Sequence, residues 1–156
     1  MNSSKLVERD AELVARYDRR LPRYTSYPTA LHFATEIGPA EYATWLRDLA
    51  DDRALSLYLH VPFCRELCLY CGCHTTVARR YAPVAAYEEL LEREIELVAG
   101  FLSHRRRVGH IHWGGGTPTI LSPGHLTQIT GVIRTRFEVA SDAEIAVEID
   151  PRTLTL

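Results

Sequence analysis

Apolar and polar side chains alternate with period two over Leu55–Val61, where Leu55, Leu57 and Leu59 share one face and Ser56, Tyr58 and His60 the other. Val108–Trp113 repeats the pattern, with Ile111 and Trp113 opposing His110 and His112. Glu144–Asp150 repeats it again, with Ile145, Val147 and Ile149 opposing Glu144, Ala146 and Glu148. Between these three predicted strands the period lengthens to that of a helix. Pro83–Leu102 carries Leu90, Leu91, Glu94, Ile95, Val98, Phe101 and Leu102 at helical spacing. A second stripe, Leu126, Ile129, Ile133 and Phe137, follows Ser122-Pro123, an N-cap acceptor and a proline at the first helical position. Upstream, residues 4–20 place Leu6, Val7, Leu13, Val14 and Tyr17 along a surface helix, and residues 39–50 place Tyr42, Trp45, Leu46 and Leu49 on one side of another. Between them, residues 21–29 hold two prolines and three small hydroxyl residues, which favour an extended, ordered loop. Strands alternating with helices of this length predict βαβ units on a parallel sheet, and so the α/β class. The organisation expected is an N-terminal helical and extended segment, residues 1–52, followed by the strand–helix portion, residues 53–156.

A strand buried on both faces of a parallel sheet would be apolar on both. Here one face of each strand is apolar, as covering helices require, while the other presents Tyr, His and Glu. Such a face suits a barrel lumen or cleft that holds a polar ligand. The strands also point their C-terminal ends at two unusual loops, the position where barrel enzymes place their chemistry.

Composition narrows the class of partner. The 156 residues are 46% hydrophobic and 24% charged with a formal net charge of -2, which gives no reason to expect nucleic acid or an anionic membrane surface. No apolar run reaches the roughly eighteen residues needed to span a bilayer. The N-terminus, MNSSKLVERDAELVARYDRR, is too charged for a secretory signal. The expectation is a cytoplasmic protein without a membrane partner, where clustered thiols stay reduced and indicate metal or catalysis before disulfides.

All four cysteines lie within residues 64–73, and Cys64, Cys68 and Cys71 have C-x-x-x-C-x-x-C spacing with Tyr70 just before the third. Thiolates are the usual protein ligands of iron–sulfur clusters, and three on one loop can wrap one face of a cube. A structural zinc site is the alternative, although its ligands usually come as two separated C-x-x-C pairs. Cys73 is either a fourth ligand or a neighbour. Trp113-Gly114-Gly115-Gly116-Thr117-Pro118 follows a strand, and its glycines let backbone approach a ligand closely. The same run is also common as plain turn punctuation. Glu148, on a concealed strand face, must be paired or ligand-bound, because burying a lone carboxylate costs several kcal/mol. Tyr58 and His60 project beside the cysteine loop, either as satisfied polar residues or with a role in the site. The Arg105-Arg106-Arg107 run is expected to be a solvated connection.

Together these residues resemble the radical S-adenosylmethionine superfamily, whose loop signature is matched by Cys64, Cys68, Tyr70 and Cys71. Pro22–Thr29, Leu57–Cys64, Cys71-Gly72-Cys73, His112–Thr119 and Val147–Arg152 look like the oxygen-independent coproporphyrinogen III oxidase family within it. The resemblance implies the first three strands of a parallel (β/α)6 radical-SAM barrel. It implies a [4Fe–4S] cluster on Cys64, Cys68 and Cys71, with Cys73 non-ligating and the fourth iron left to S-adenosylmethionine. By matched position, Tyr58, Tyr70, Gly115, Gly116, Thr117 and Glu148 would contact that cofactor. Tyr58 and His60 would be the catalytic pair, His60 beside the cluster. The implied reaction is oxidative decarboxylation of coproporphyrinogen III propionates to vinyls by a 5′-deoxyadenosyl radical, giving protoporphyrinogen IX in haem biosynthesis. A flavodoxin or ferredoxin would donate electrons to a monomeric enzyme, and residues 21–29 would help to cover the site.

Family members are much longer, so three strands amount to half a barrel with an open lumen and an unpaired edge. The expectation is a labile cluster and little or no turnover. A haem-binding chaperone of the same superfamily and a zinc-stabilised, non-catalytic fragment are the competing readings.

Overall fold

The computed structural model describes residues 3–18, 29–33, 35 and 37–153. The chain divides into two compact units, Met1–Ile37 and Gly38–Leu156. In the first, α1 spans Ser3–Tyr17, in accord with the helical spacing of that segment, and a short 3-10 turn covers Ala30–His32. Residues 21–28, expected to form an ordered loop over the site, lie outside the described residues.

The second unit opens with α2 (Pro39–Arg47), where Gly38 N donates to Glu41 Oε2 at 3.0 Å. Its buried residue is Ala43, while Tyr42 and Trp45 are exposed. The larger side chains therefore do not set its buried face. Then follow β1 (Leu55–Val61), the two-residue strands β2 (Phe63–Cys64) and β3 (Thr76–Val77), α3 (Ala82–Phe101), β4 (Arg107–Gly115), α4 (Pro123–Arg136) and β5 (Glu138–Val147). The three long strands form a parallel sheet, as their alternation with helices predicts, and the structure orders them β1-β4-β5.

Helices α3 and α4 cover one face of this sheet and make the core. Leu59 and Val61 from β1, Val108, Ile111 and Trp113 from β4, Val84, Leu91 and Ile95 from α3, and Ile129, Ile133 and Phe137 around α4 are all buried together. Ser122 caps α4 as expected, its Oγ accepting from His125 N at 3.2 Å, with Pro123 next. Two expectations fail at the margins. Ile145, Val147 and Ile149 are 44–55% exposed, because no helix among the described residues covers the outer strand. Arg106, expected in solvent, is 2% exposed and donates to the carbonyls of Leu49, Ala50 and Arg53 and to Asp51 Oδ1. It ties the segment before β1 to the start of β4, satisfying four acceptors with one planar fork.

Candidate iron–sulfur and cofactor site

Parallel pairing brings the ends of β1 and β4 level, with His60 opposite Gly114 and Val61 opposite Gly115. The chain leaves β1 into the cysteine loop and leaves β4 into the glycine run, so both loops meet at one edge. Backbone bonds stitch them together: Gly116 N donates to Val61 O at 2.9 Å and Thr117 N to Phe63 O at 2.8 Å. Glycine is required here for two reasons. Gly115 has φ +109°, where side chains are strained, and a Cβ there would meet the His60 ring at 2.7 Å. A Cβ on Gly116 would lie 2.6 Å from Phe63 O.

Above this junction lies an open cavity of about 610 Å³, within the range of small-molecule sites. Its walls include Cys64, Cys68, Tyr70, Cys71, Cys73, Gly115, Gly116, Thr117 and Glu148. Seven residues singled out as cofactor or metal contacts thus share one cavity with an eighth, Cys64, and with the extra cysteine. Tyr58 and His60 line a separate cavity of about 370 Å³ between β1 and α3. The Tyr58 hydroxyl lies 3.1 Å from His60 Nδ1, and His60 Nε2 lies 3.3 Å from His74 O. Tyr87, on α3, fixes this end of β1 by donating to His60 O at 2.7 Å.

Glu148 lies in the wall of the larger cavity. Its Oε2 accepts from Gly115 N at 3.1 Å and its Oε1 from His112 Nε2 at 3.0 Å. The carboxylate is partnered on both oxygens, but its side chain is 49% exposed, so the concealed face expected from the sequence is open here and burial does not impose the pairing. His112 is the residue that sequence reasoning passed over. Its signal was its place on the same polar strand face as Tyr58 and Glu148. Partial desolvation, with the Glu148 carboxylate next in importance and Cys73 after it, raises the pKa of the Tyr58 phenol.

All four cysteines are free thiols. Cys64 is buried; the Thr117 hydroxyl donates to its sulfur at 3.4 Å, and the Thr75 hydroxyl lies 3.3 Å away. Cys68 Sγ receives a contact from Arg152 Nη2 at 3.6 Å. Cys71 and Cys73 are exposed, and a hydrogen bond between them, followed by the proximity of their charges, raises the Cys73 thiol. Among the described residues no three His, Cys, Asp or Glu side chains converge on a position for one metal ion. The donor set fits a cluster instead: soft sulfur donors at the rim of a cavity, hydroxyl and guanidinium donors turned toward the sulfurs, and a glycine floor on which side chains would collide.

The sequence pattern described as the Radical SAM superfamily matches residues 58–155. The oxygen-independent coproporphyrinogen III oxidase of Bradyrhizobium diazoefficiens is 55% identical over 146 residues, 93% of this chain and 32% of that protein. The protein of the same name from Mannheimia haemolytica is 42% identical over 144 residues, 91% of this chain and 96% of that one. Among solved structures, the Escherichia coli coproporphyrinogen III oxidase, described as a radical SAM enzyme, superposes with a TM-score of 0.80 at 38% identity, over 92% of this chain and 31% of that one. The chain spans about a third of the length of most of the curated relatives it matches.

Proposed function

Because the chain belongs to the Radical SAM superfamily and, within it, to the oxygen-independent coproporphyrinogen III oxidases, we propose that it carries the cluster- and cofactor-binding part of the oxidative decarboxylation of coproporphyrinogen III propionates to vinyls, cleaving S-adenosylmethionine while the isolated chain turns over little or no porphyrinogen. The observation that carries this reading is the shared cavity, in which a three-cysteine loop faces a glycine run and a doubly held glutamate. Cys64, Cys68 and Cys71 would hold a [4Fe–4S] cluster and leave one iron for S-adenosylmethionine. When bound, the pair would supply one-electron cleavage of a sulfonium and thereby a hydrogen-abstracting radical.

The rest falls to this chain's own residues. Gly115 and Gly116 admit a flat ligand against the backbone, while Tyr70 stands exposed at the rim, where a ring can cover it. Glu148, oriented by His112 and Gly115 N, offers a fixed carboxylate to hydroxyl or ammonium donors. Thr117 turns its hydroxyl to the Cys64 sulfur, and hydrogen bonds to ligand sulfurs help to set the potential of a cluster. Tyr58 and His60 form a hydrogen-bonded pair beneath the glycine run, placed to hold or pass a proton between phenol and imidazole. A flavodoxin- or ferredoxin-type donor would reduce the site in a cytoplasmic setting, and no helix among the described residues is long and apolar enough to cross a membrane.

The test is anaerobic reconstitution with iron and sulfide, then incubation with dithionite, S-adenosylmethionine and coproporphyrinogen III. Methionine release that is abolished in Cys68→Ser is the expected result. A fully loaded chain that releases no methionine would refute the reading.

A further inference from the structure

Arg152 stands outside every role assigned so far, yet it reaches the cysteine loop from the end of the sheet. Beyond β5 the chain makes a 3-10 turn, Pro151–Thr153, closed by Thr153 N and Oγ1, both donating to Asp150 O at 3.0 and 2.9 Å. Asp150, its side chain only 10% exposed, accepts from Arg152 N at 3.0 Å, from Nε at 2.9 Å and from Nη2 at 2.7 Å. These bonds fold the arginine back on itself and leave its outer edge facing the loop. There Nη2 lies 3.6 Å from Cys68 Sγ and Nη1 lies 3.5 Å from Glu66 Oε2. One guanidinium therefore bridges the end of β5 and the stretch between Cys64 and Cys68.

We propose that Arg152 is a positioning residue for the iron–sulfur cluster, holding a permanent cation against the Cys68 sulfur so that the reduced cluster is favoured. The inference rests on Cys64, Cys68 and Cys71 being the ligands. A guanidinium stays charged at any working pH, so its field is constant. Reduction adds a negative charge to the cluster, and a cation beside a ligand sulfur stabilises that state more than the oxidised one. Asp150 and Glu66 offset part of this field, which keeps the effect modest. Asp150 contributes mainly by fixing direction, since an arginine free to swing would spend its charge in water.

The experiment compares the reconstituted wild-type chain with Arg152→Gln and Arg152→Lys. Circular dichroism checks the fold, iron and sulfide are counted, and a dye-mediated redox titration followed by EPR gives the midpoint potential. In Arg152→Gln the reduced-to-oxidised ratio at the wild-type midpoint is expected to fall at least threefold, about 28 mV for a one-electron couple at ~59 mV per tenfold. Arg152→Lys, which keeps the charge, restores most of that shift. If Arg152→Gln loads no cluster while Arg152→Lys does, the cation is needed already at assembly, and the proposal stands. Equal potentials in loaded wild type and Arg152→Gln would overturn this inference alone. So would failure of both variants to load, which would make the role merely structural. A wild-type chain that takes up no cluster overturns the ligand assignment and this inference together.

Discussion

Gly116→Ala puts the junction of the two loops to a quantitative test. The added Cβ would sit 2.6 Å from Phe63 O, 2.9 Å from Phe63 C and 2.6 Å from Thr75 Oγ1, against an ordinary contact of 3.4–4 Å. Two of these atoms are backbone, so no rotamer change relieves the overlap; the strand ends must part by most of an ångström. Overpacking of this kind costs about 1–3 kcal/mol. Separation also strains the bonds from Gly116 N to Val61 O and from Thr117 N to Phe63 O, each worth about 0.5–1.5 kcal/mol. The expected loss is therefore about 2–6 kcal/mol. Gly131→Ala is the control, because Gly131 lies within α4 with nothing within 4 Å of an added Cβ. There the same methyl should stabilise by about 0.4–1 kcal/mol through helix propensity and unfolded-state entropy. Urea unfolding of the metal-free chain, followed by far-UV circular dichroism at constant m, reads both values. A Gly116→Ala variant within about 0.5 kcal/mol of wild type would refute the reasoning, since surface substitutions fall in that range.

Three other outcomes follow from the same geometry. Arg106→Met should lower stability by about 1.5–3 kcal/mol in thermal or urea unfolding, because it removes the buried guanidinium's hydrogen bonds to the 49–53 segment, whose own exposed acceptors water can reach. Glu148→Gln in the reconstituted chain should weaken S-adenosylmethionine binding at least tenfold by calorimetry, since a hydrogen bond to a charged group is worth about 1.5–3 kcal/mol. Glu88 is buried on α3 with Oε1 unpartnered, and desolvation, then the neighbouring Glu92, raises its pKa above the ordinary carboxylate value. The folded chain then holds more protons than the unfolded one, so stability should be full below the ordinary glutamate pKa and should fall as pH rises through the folded value. Glu88→Gln should flatten that slope; an unchanged pH profile of unfolding would contradict the assignment.

Period-two alternation was enough to locate β1 to the residue, because a half-buried strand writes its two faces directly into sequence, and the strand–helix order was enough to make the sheet parallel. The same rule failed for the first half of β5. Glu138–Ala143 shows no alternation; it pairs with Arg107 and Val108 and then passes through an irregularity before Glu144 meets His110. β2 and β3, two residues each, are too short to carry any period. Arg106 looked like one of three solvated charges, and only the tertiary fold shows that it faces the carbonyls of a segment more than fifty residues upstream. The cavity was legible where chemistry is local, in the cysteine spacing and the glycine run. It was opaque where the partners are distant in sequence, as with His112 against Glu148 and Arg152 against Cys68.

The central claim, that Cys64, Cys68 and Cys71 hold a cluster with one iron open to S-adenosylmethionine, is met most directly by EPR of the dithionite-reduced, reconstituted chain with and without the cofactor. The account predicts about four iron and four sulfide per chain, as for any cube, a signal that changes when S-adenosylmethionine is added, and loss of the cluster in Cys64→Ala, Cys68→Ala and Cys71→Ala but not in Cys73→Ala. A spectrum indifferent to the cofactor, or full iron content in any of the first three variants, would contradict it.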